Sequence, residues 1–312
     1  MFSSVRRART ITPYDLRTLI NRKNEAEYLI VDVRHEAEFR QGHIPGAVLI
    51  PVAELESRLH DLDPEREYVF YCHSGGRSTA AALLAEESGL LRGQLYNLSG
   101  GIMAWEGLAV ADVPRIAVFE GVSSIAELLL RAIDMEKAAY LLYSRVREAA
   151  SRETVCSLMD TLVNMEEAHA RVVYSYLKKQ MPDVKPFTEL FDELSGNVLE
   201  GGLSVEELDP WIRGASTGDC MEIADLALEV ESNALDLYRT LAFEAARAAI
   251  RRNSAFISDA DGKPKKELKD EPAMFGTGID LAEAVDAFTD LAQQEKQHTR
   301  IILQHMDVFQ KD

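Results

Sequence analysis

Glu67-Tyr68-Val69-Phe70-Tyr71-Cys72-His73-Ser74-Gly75-Gly76-Arg77-Ser78 sets an apolar run of strand length directly against a glycine-rich turn. The alanine- and leucine-rich stretch Ser78–Ser88 that follows reads as a helix. A strand, a tight turn and a helix in that order can aim successive backbone N–H groups inward as an anion-binding nest, with the helix dipole adding to the field. Gly75 and Gly76 permit the curve, and Arg77 adds positive charge. A thiol in such a nest is drawn toward the thiolate, the form that attacks sulfur or phosphorus. We therefore take Cys72 and Arg77 as catalytic, and His73, Ser74, Gly75, Gly76 and Ser78 as the substrate-binding loop.

Working outward, Thr12-Pro13-Tyr14-Asp15 carries the signals of a helix start: a threonine cap, a proline at the first helical position and an acid in the first turn. Tyr28–Val33 is a second apolar run of strand length. Strands alternating with helices over residues 11–107 predict a small α/β domain with a mostly parallel sheet flanked by helices.

This region resembles a single-domain rhodanese. The resemblance rests on the Cys72-to-Arg77 loop, on Val31-Asp32-Val33-Arg34 with Gly42-His43-Ile44-Pro45-Gly46-Ala47, and on Leu98-Ser99-Gly100-Gly101-Ile102-Met103-Ala104-Trp105. It implies a sulfurtransferase in which Cys72 accepts sulfane sulfur as a persulfide and passes it to a thiol or another nucleophile. Related phosphatases use a longer loop to seat a phosphoryl group, so the short loop here favours sulfur. Asp32, Arg34 and His43 are read as structural ion-pairing and capping residues.

Domain boundaries follow from a change in pattern. Residues 1–110 form the first domain, and 111–122 read as linker in a stretch carrying Pro114. Residues 123–312 hold long helical patterns at about Ser124–Ala150, Arg152–Lys179, Cys220–Ala249 and Leu281–Phe309, which makes a four-helix bundle the expected architecture. Residues 182–218 read as a joining segment with short helical stretches and glycine turns, and 253–278 as a surface loop or hairpin.

The helical half repeats itself. Glu136 is followed seven residues later by Tyr143, and Glu231 by Tyr238; the second and fourth helices carry Glu166-Glu167-Ala168-His169 and Glu295-Lys296-Gln297-His298. Glu at i and His at i+3 share a helix face. Glu136, Glu166, His169, Glu231, Glu295 and His298 all fall within apolar stripes, where an unpaired charge costs several kcal/mol. Two divalent cations, each with one imidazole, would neutralise the four glutamates, as in carboxylate-bridged dimetal bundles. Glu166 and Glu295 are expected to bridge, with the other four as terminal ligands. Tyr143 and Tyr238 are expected beside the ligands as hydrogen-bond donors, and Glu167, Glu193, Glu229 and Lys296 on solvated faces. Such donors suit iron or manganese, with zinc as a substitute.

Residues 120–312 thus resemble the rubrerythrin-like branch of the ferritin superfamily. The resemblance implies two iron ions per chain, reacting with hydrogen peroxide or dioxygen. Two features depart from that family: no CxxC pair exists to build a rubredoxin-type centre, so electrons must come from an external donor, and Ala234 stands where a further carboxylate is expected. The expected protein is a sulfurtransferase fused to a di-iron oxidoreductase; the alternative is an iron-storage or sensor protein with a sulfur-relay module. A homodimer through the bundle is expected.

Composition sets the outer limits. With 46% apolar and 28% charged residues, the chain of 312 residues has the make-up of a globular protein. The net charge of −18 argues against nucleic acid or an anionic membrane as partner. Cys72, Cys156 and Cys220 are too scattered for a disulfide framework, and neither a signal peptide nor a membrane span is apparent, so a cytoplasmic location is expected.

Overall fold

The computed structural model describes residues 8–309 apart from 115, 120, 201, 215–218 and 256–278. The described residues divide into two compact units, 8–113 with 246–255, and 114–245 with 279–309. The loop expected at 253–278 lies almost wholly outside the described residues.

The first unit is built on strands β1 (Arg9–Ile11), β2 (Tyr28–Asp32), β3 (Val48–Leu49), β4 (Glu67–Tyr71) and β5 (Leu95–Leu98). They form one parallel sheet in the order β1-β5-β4-β2-β3. Helices α1 (Pro13–Arg22), α2 (Glu36–Gln41), α3 (Val52–Arg58) and α4 (Gly76–Ser88) connect them. Every residue of β2 is buried, as expected of a parallel strand covered on both faces. Thr12 caps α1 by accepting a hydrogen bond from the Asp15 backbone, the role its sequence signal predicts. β4 lies in the middle of the sheet, so its carboxyl end opens where ligands of parallel sheets are received.

The second unit is helical. Its long helices are α5 (Ile125–Ala149), α6 (Glu153–Gln180), α9 (Cys220–Ala255) and α10 (Leu281–Phe309), with short helices α7 (Phe187–Glu193) and α8 (Asp209–Gly214) between α6 and α9. The apolar stripes point inward: Leu129, Ala132, Ile133 and Tyr143 of α5, Met159 and Leu162 of α6, Ala227 and Tyr238 of α9, and Phe288, Leu291 and Ile302 of α10 are all buried. Phe119, in the stretch read as linker, is fully buried, and its ring meets Phe288 edge-on. No described helix is long and apolar enough to cross a membrane.

One expectation fails here. Lys296 is buried rather than solvated. Glu295, Lys296, His298 and Thr299 are buried together on α10, so its inward face is wider than a single stripe.

Candidate functional sites

Cys72 follows β4 directly and is itself buried. The Gly75 backbone N–H reaches its Sγ at 3.1 Å and the Ser78 hydroxyl at 3.4 Å. Burial opposes ionisation, but hydrogen bonds from the Ser78 hydroxyl and from the backbone of Ser78, Gly75 and Ser74 outweigh it and hold the thiol below its ordinary value. Gly75 caps α4 with φ +107°, a left-handed conformation that suits glycine.

The base of the loop is held by the Leu98–Trp105 stretch. The N–H groups of Ile102 and Met103 donate to the carbonyls of Cys72 and His73 at 2.8 and 3.1 Å. Gly101 has φ +59°, and a Cβ there would lie 2.4 Å from the Cys72 carbonyl oxygen. The second glycine of the motif therefore serves close backbone approach.

Arg77 lies beside the loop, but its guanidinium is engaged by Glu38 of α2 at 2.6 and 2.7 Å. The donors that lower the Cys72 thiol are Ser78 and the backbone, while the guanidinium is raised by Glu38 first and also by the charge of Cys72. Asp32 and Arg34 form a buried ion pair at 2.7 Å, with Arg34 also donating to the Gly42 carbonyl. His43 stacks on Phe39 at 3.6 Å between ring centroids. These contacts are structural.

In the helical unit, the six expected ligands come together and all are buried. Glu136, His169 and Glu295 form one group of convergent ligand atoms, Glu231, Glu295 and His298 a second, and Glu166, His169 and His298 a third, each within 4.8 Å. Glu295, His169 and His298 each belong to two of these groups, and Glu136, Glu166 and Glu231 to one. His169 Nδ1 lies 3.5 Å from Glu136 Oε2 and 3.3 Å from Glu295 Oε1. Nevertheless Glu136 Oε2, Glu166 Oε1, His169 Nδ1 and His298 Nε2 make no hydrogen bond. His298 turns Nδ1 to the carboxylates of Glu166, Glu231 and Glu295 at 3.2, 2.7 and 3.5 Å, so carboxylate oxygens and imidazole nitrogens converge in one buried space, as the donors of a metal site must.

Electrostatics agree. Burial and the neighbouring Glu231 charge push the Glu166 carboxyl well above its ordinary value. Although burial opposes it, His298 and His169 hold Glu295 well below. Burial likewise opposes protonation of His169, yet Glu136 and Glu295 raise it to about 10. Four buried carboxylates thus share the cluster with two buried imidazoles.

The tyrosines pair across the repeat. Tyr143 of α5 donates to Glu231 of α9, and Tyr238 of α9 donates to Glu136 of α5 at 3.0 Å. Glu200, from the segment between α7 and α8, is also buried, and its Oε1 lies 3.4 Å from the Tyr238 hydroxyl. Sequence periodicity gives no sign of it, because it is on no helix.

The family model for the rhodanese-like domain matches residues 12–108. A putative sulfurtransferase, YtwF of Bacillus subtilis (strain 168), is 39% identical over 83 residues, 27% of this chain and 78% of that protein. A sulfurtransferase of Allochromatium vinosum is 36% identical over 96 residues, covering 30% of this chain and 88% of the relative. Among solved structures, a rhodanese-related protein from Thermoplasma volcanium shares 29% identity and aligns over 33% of this chain and 99% of its own, with a TM-score of 0.30.

Proposed function

Since the chain belongs to the rhodanese-like family through residues 12–108, we propose that it is a persulfide-forming sulfurtransferase whose nucleophile is Cys72. The Cys72 thiolate attacks the outer sulfur of a donor such as thiosulfate. A new S–S bond forms as the donor's S–S bond breaks, and sulfite leaves with the electron pair. An acceptor thiolate or cyanide then takes the outer sulfur and returns the Cys72 thiolate. The hydrogen bonds from Gly75 and Ser78 to Sγ carry this reading, because they stabilise the anion at both ends of the cycle. Conversion of thiosulfate and cyanide to thiocyanate tests it. Cys72→Ser should abolish the reaction, while Cys156→Ser and Cys220→Ser leave it nearly intact; equal losses from all three would overturn the assignment.

For the helical unit we propose a ferritin-like four-helix bundle holding two metal ions, iron by preference. Glu166 and Glu295 would be shared by the two ions, and Glu136, His169, Glu231 and His298 would each serve one. Bound iron would supply the redox chemistry for peroxide or dioxygen. The chain's own part is to offer an anionic, water-poor cavity, with Tyr143 and Tyr238 orienting Glu231 and Glu136. Electrons come from an external donor. The three convergent groups of buried ligand atoms support this reading. Iron binding for storage or sensing is the competing reading, favoured by the burial of all six groups, which slows access of an exogenous reactant. Sustained peroxide consumption with a reductant supports the oxidoreductase; oxidation that stops at one equivalent supports the alternative.

A further inference from the structure

The Ser78 hydroxyl has one proton and two acceptors within reach, the Cys72 sulfur at 3.4 Å and the Gly75 carbonyl at 3.1 Å. The carbonyl is the nearer, and a proton given to it is lost to the sulfur. Ser78 is fully buried, so its protein neighbours make the choice.

A carbonyl oxygen has two lone pairs, and Thr79 occupies both at Gly75. The Thr79 backbone N–H donates to the Gly75 oxygen at 3.0 Å as the first turn of α4 closes, and the Thr79 hydroxyl donates to the same oxygen at 2.8 Å. The direction of this second bond is fixed from outside the helix. Asn97, on β5, donates its side-chain Nδ2–H to Thr79 Oγ1 at 2.9 Å. An amide nitrogen cannot accept, so the Thr79 proton is left to point at Gly75. Threonine back-bonds to the preceding turn are common on helices. Here a donor from the neighbouring strand orients one, beside the nucleophile.

We propose that Thr79, held by Asn97, is a positioning residue for the Cys72 nucleophile: by filling the Gly75 carbonyl it turns the Ser78 proton to the sulfur. The role deepens the sulfurtransferase reading above and rests on it. Thr79 acts through Ser78, not on the sulfur itself.

Alkylation of Cys72 by iodoacetamide across pH, read on the full chain by peptide mass spectrometry, tests it. Thr79→Val keeps the shape of the side chain and removes the hydroxyl. It should raise the Cys72 midpoint by about half a pH unit, because the carbonyl competes again for the Ser78 proton. Thr79→Ser should restore the wild-type midpoint, and Asn97→Ala should move it in the same direction as Thr79→Val. In a Ser78→Ala background Thr79→Val should add nothing, since no proton remains to be steered. The pH profile of kcat/KM for thiosulfate, which reports the free enzyme, should shift with the midpoint. The melting temperature should stay close to that of wild type, because such a back-bond adds little to a helix. The charged and titratable groups around the loop, Arg77 with Glu38, Asp32 with Arg34, and His73, are the same in every variant, so a shift reads hydrogen bonding. If Thr79→Val folds poorly, Asn97→Ala carries the test. An unmoved midpoint in Thr79→Val or in Ser78→Ala, or a further rise when the two are combined, overturns the role of Thr79 alone. Thiosulfate transfer that survives Cys72→Ser overturns the sulfurtransferase reading and this proposal together.

Discussion

Arg77 and Glu38 form a two-pronged ion pair, at 2.6 and 2.7 Å, between the cysteine loop and the helix after β2. This pairing holds the Glu38 carboxyl down to about 2. A guanidinium held this way is a strut, and its loss should be felt as loss of loop geometry.

Arg77→Ala and Glu38→Ala should each lower sulfur transfer from thiosulfate by about tenfold, and the double variant should be no worse than the poorer single one. Multiplying losses would show that Arg77 acts on substrate independently of Glu38. Because the folded value of Glu38 lies below the unfolded one, about 4.3, the pair's contribution to stability is whole above that pH and is lost as pH falls toward 2. The pair is about one-third exposed, so this contribution is small. Thermal melts of wild type and Arg77→Ala should therefore converge in acid.

Cys72 should be alkylated by iodoacetamide with a pH midpoint below that of an unperturbed thiol, about 8.5. Ser78→Ala removes the side-chain donor and should move the midpoint upward, slowing the reaction at neutral pH. An unchanged midpoint in Ser78→Ala would assign the effect to the backbone nest alone.

Gly101→Ala places a methyl group against the Cys72 and His73 carbonyls in a left-handed backbone conformation. The variant should lose about 1–3 kcal/mol of stability. Its sulfur transfer should fall even at temperatures where it remains folded, because the clash is with the loop itself. Chemical denaturation paired with the transfer assay separates the two effects.

In the proposed di-metal site Glu295 would be shared by the two ions and Glu136 would serve one. Glu295→Ala should therefore abolish binding of both metal ions, and Glu136→Gln should weaken one. Elemental analysis after iron loading under anaerobic conditions distinguishes these. Equal effects of the two substitutions would argue against Glu295 as a bridge.

Much of this protein is legible one residue at a time. Strand runs, Thr12 capping α1, the glycine turn after Cys72 and the spacing of Glu166 with His169 are local signals, because dihedral preference and helical period act over a few residues. The same period placed the six ligand candidates on inward faces, and the structure brings them together. Tertiary structure alone decided which groups share partners. Sequence marked Arg77 as positive charge at the Cys72 turn, but not that α2 brings Glu38 to it from 39 positions away. Lys296 looked solvated because a stripe model gives a helix one buried face, while α10 is covered more broadly. Glu200 left no periodic trace, since a turn residue has no face until a hairpin is folded and docked. Upstream of it Asp134 accepts from the Gly196 N–H, a contact between residues 62 positions apart that no local pattern encodes.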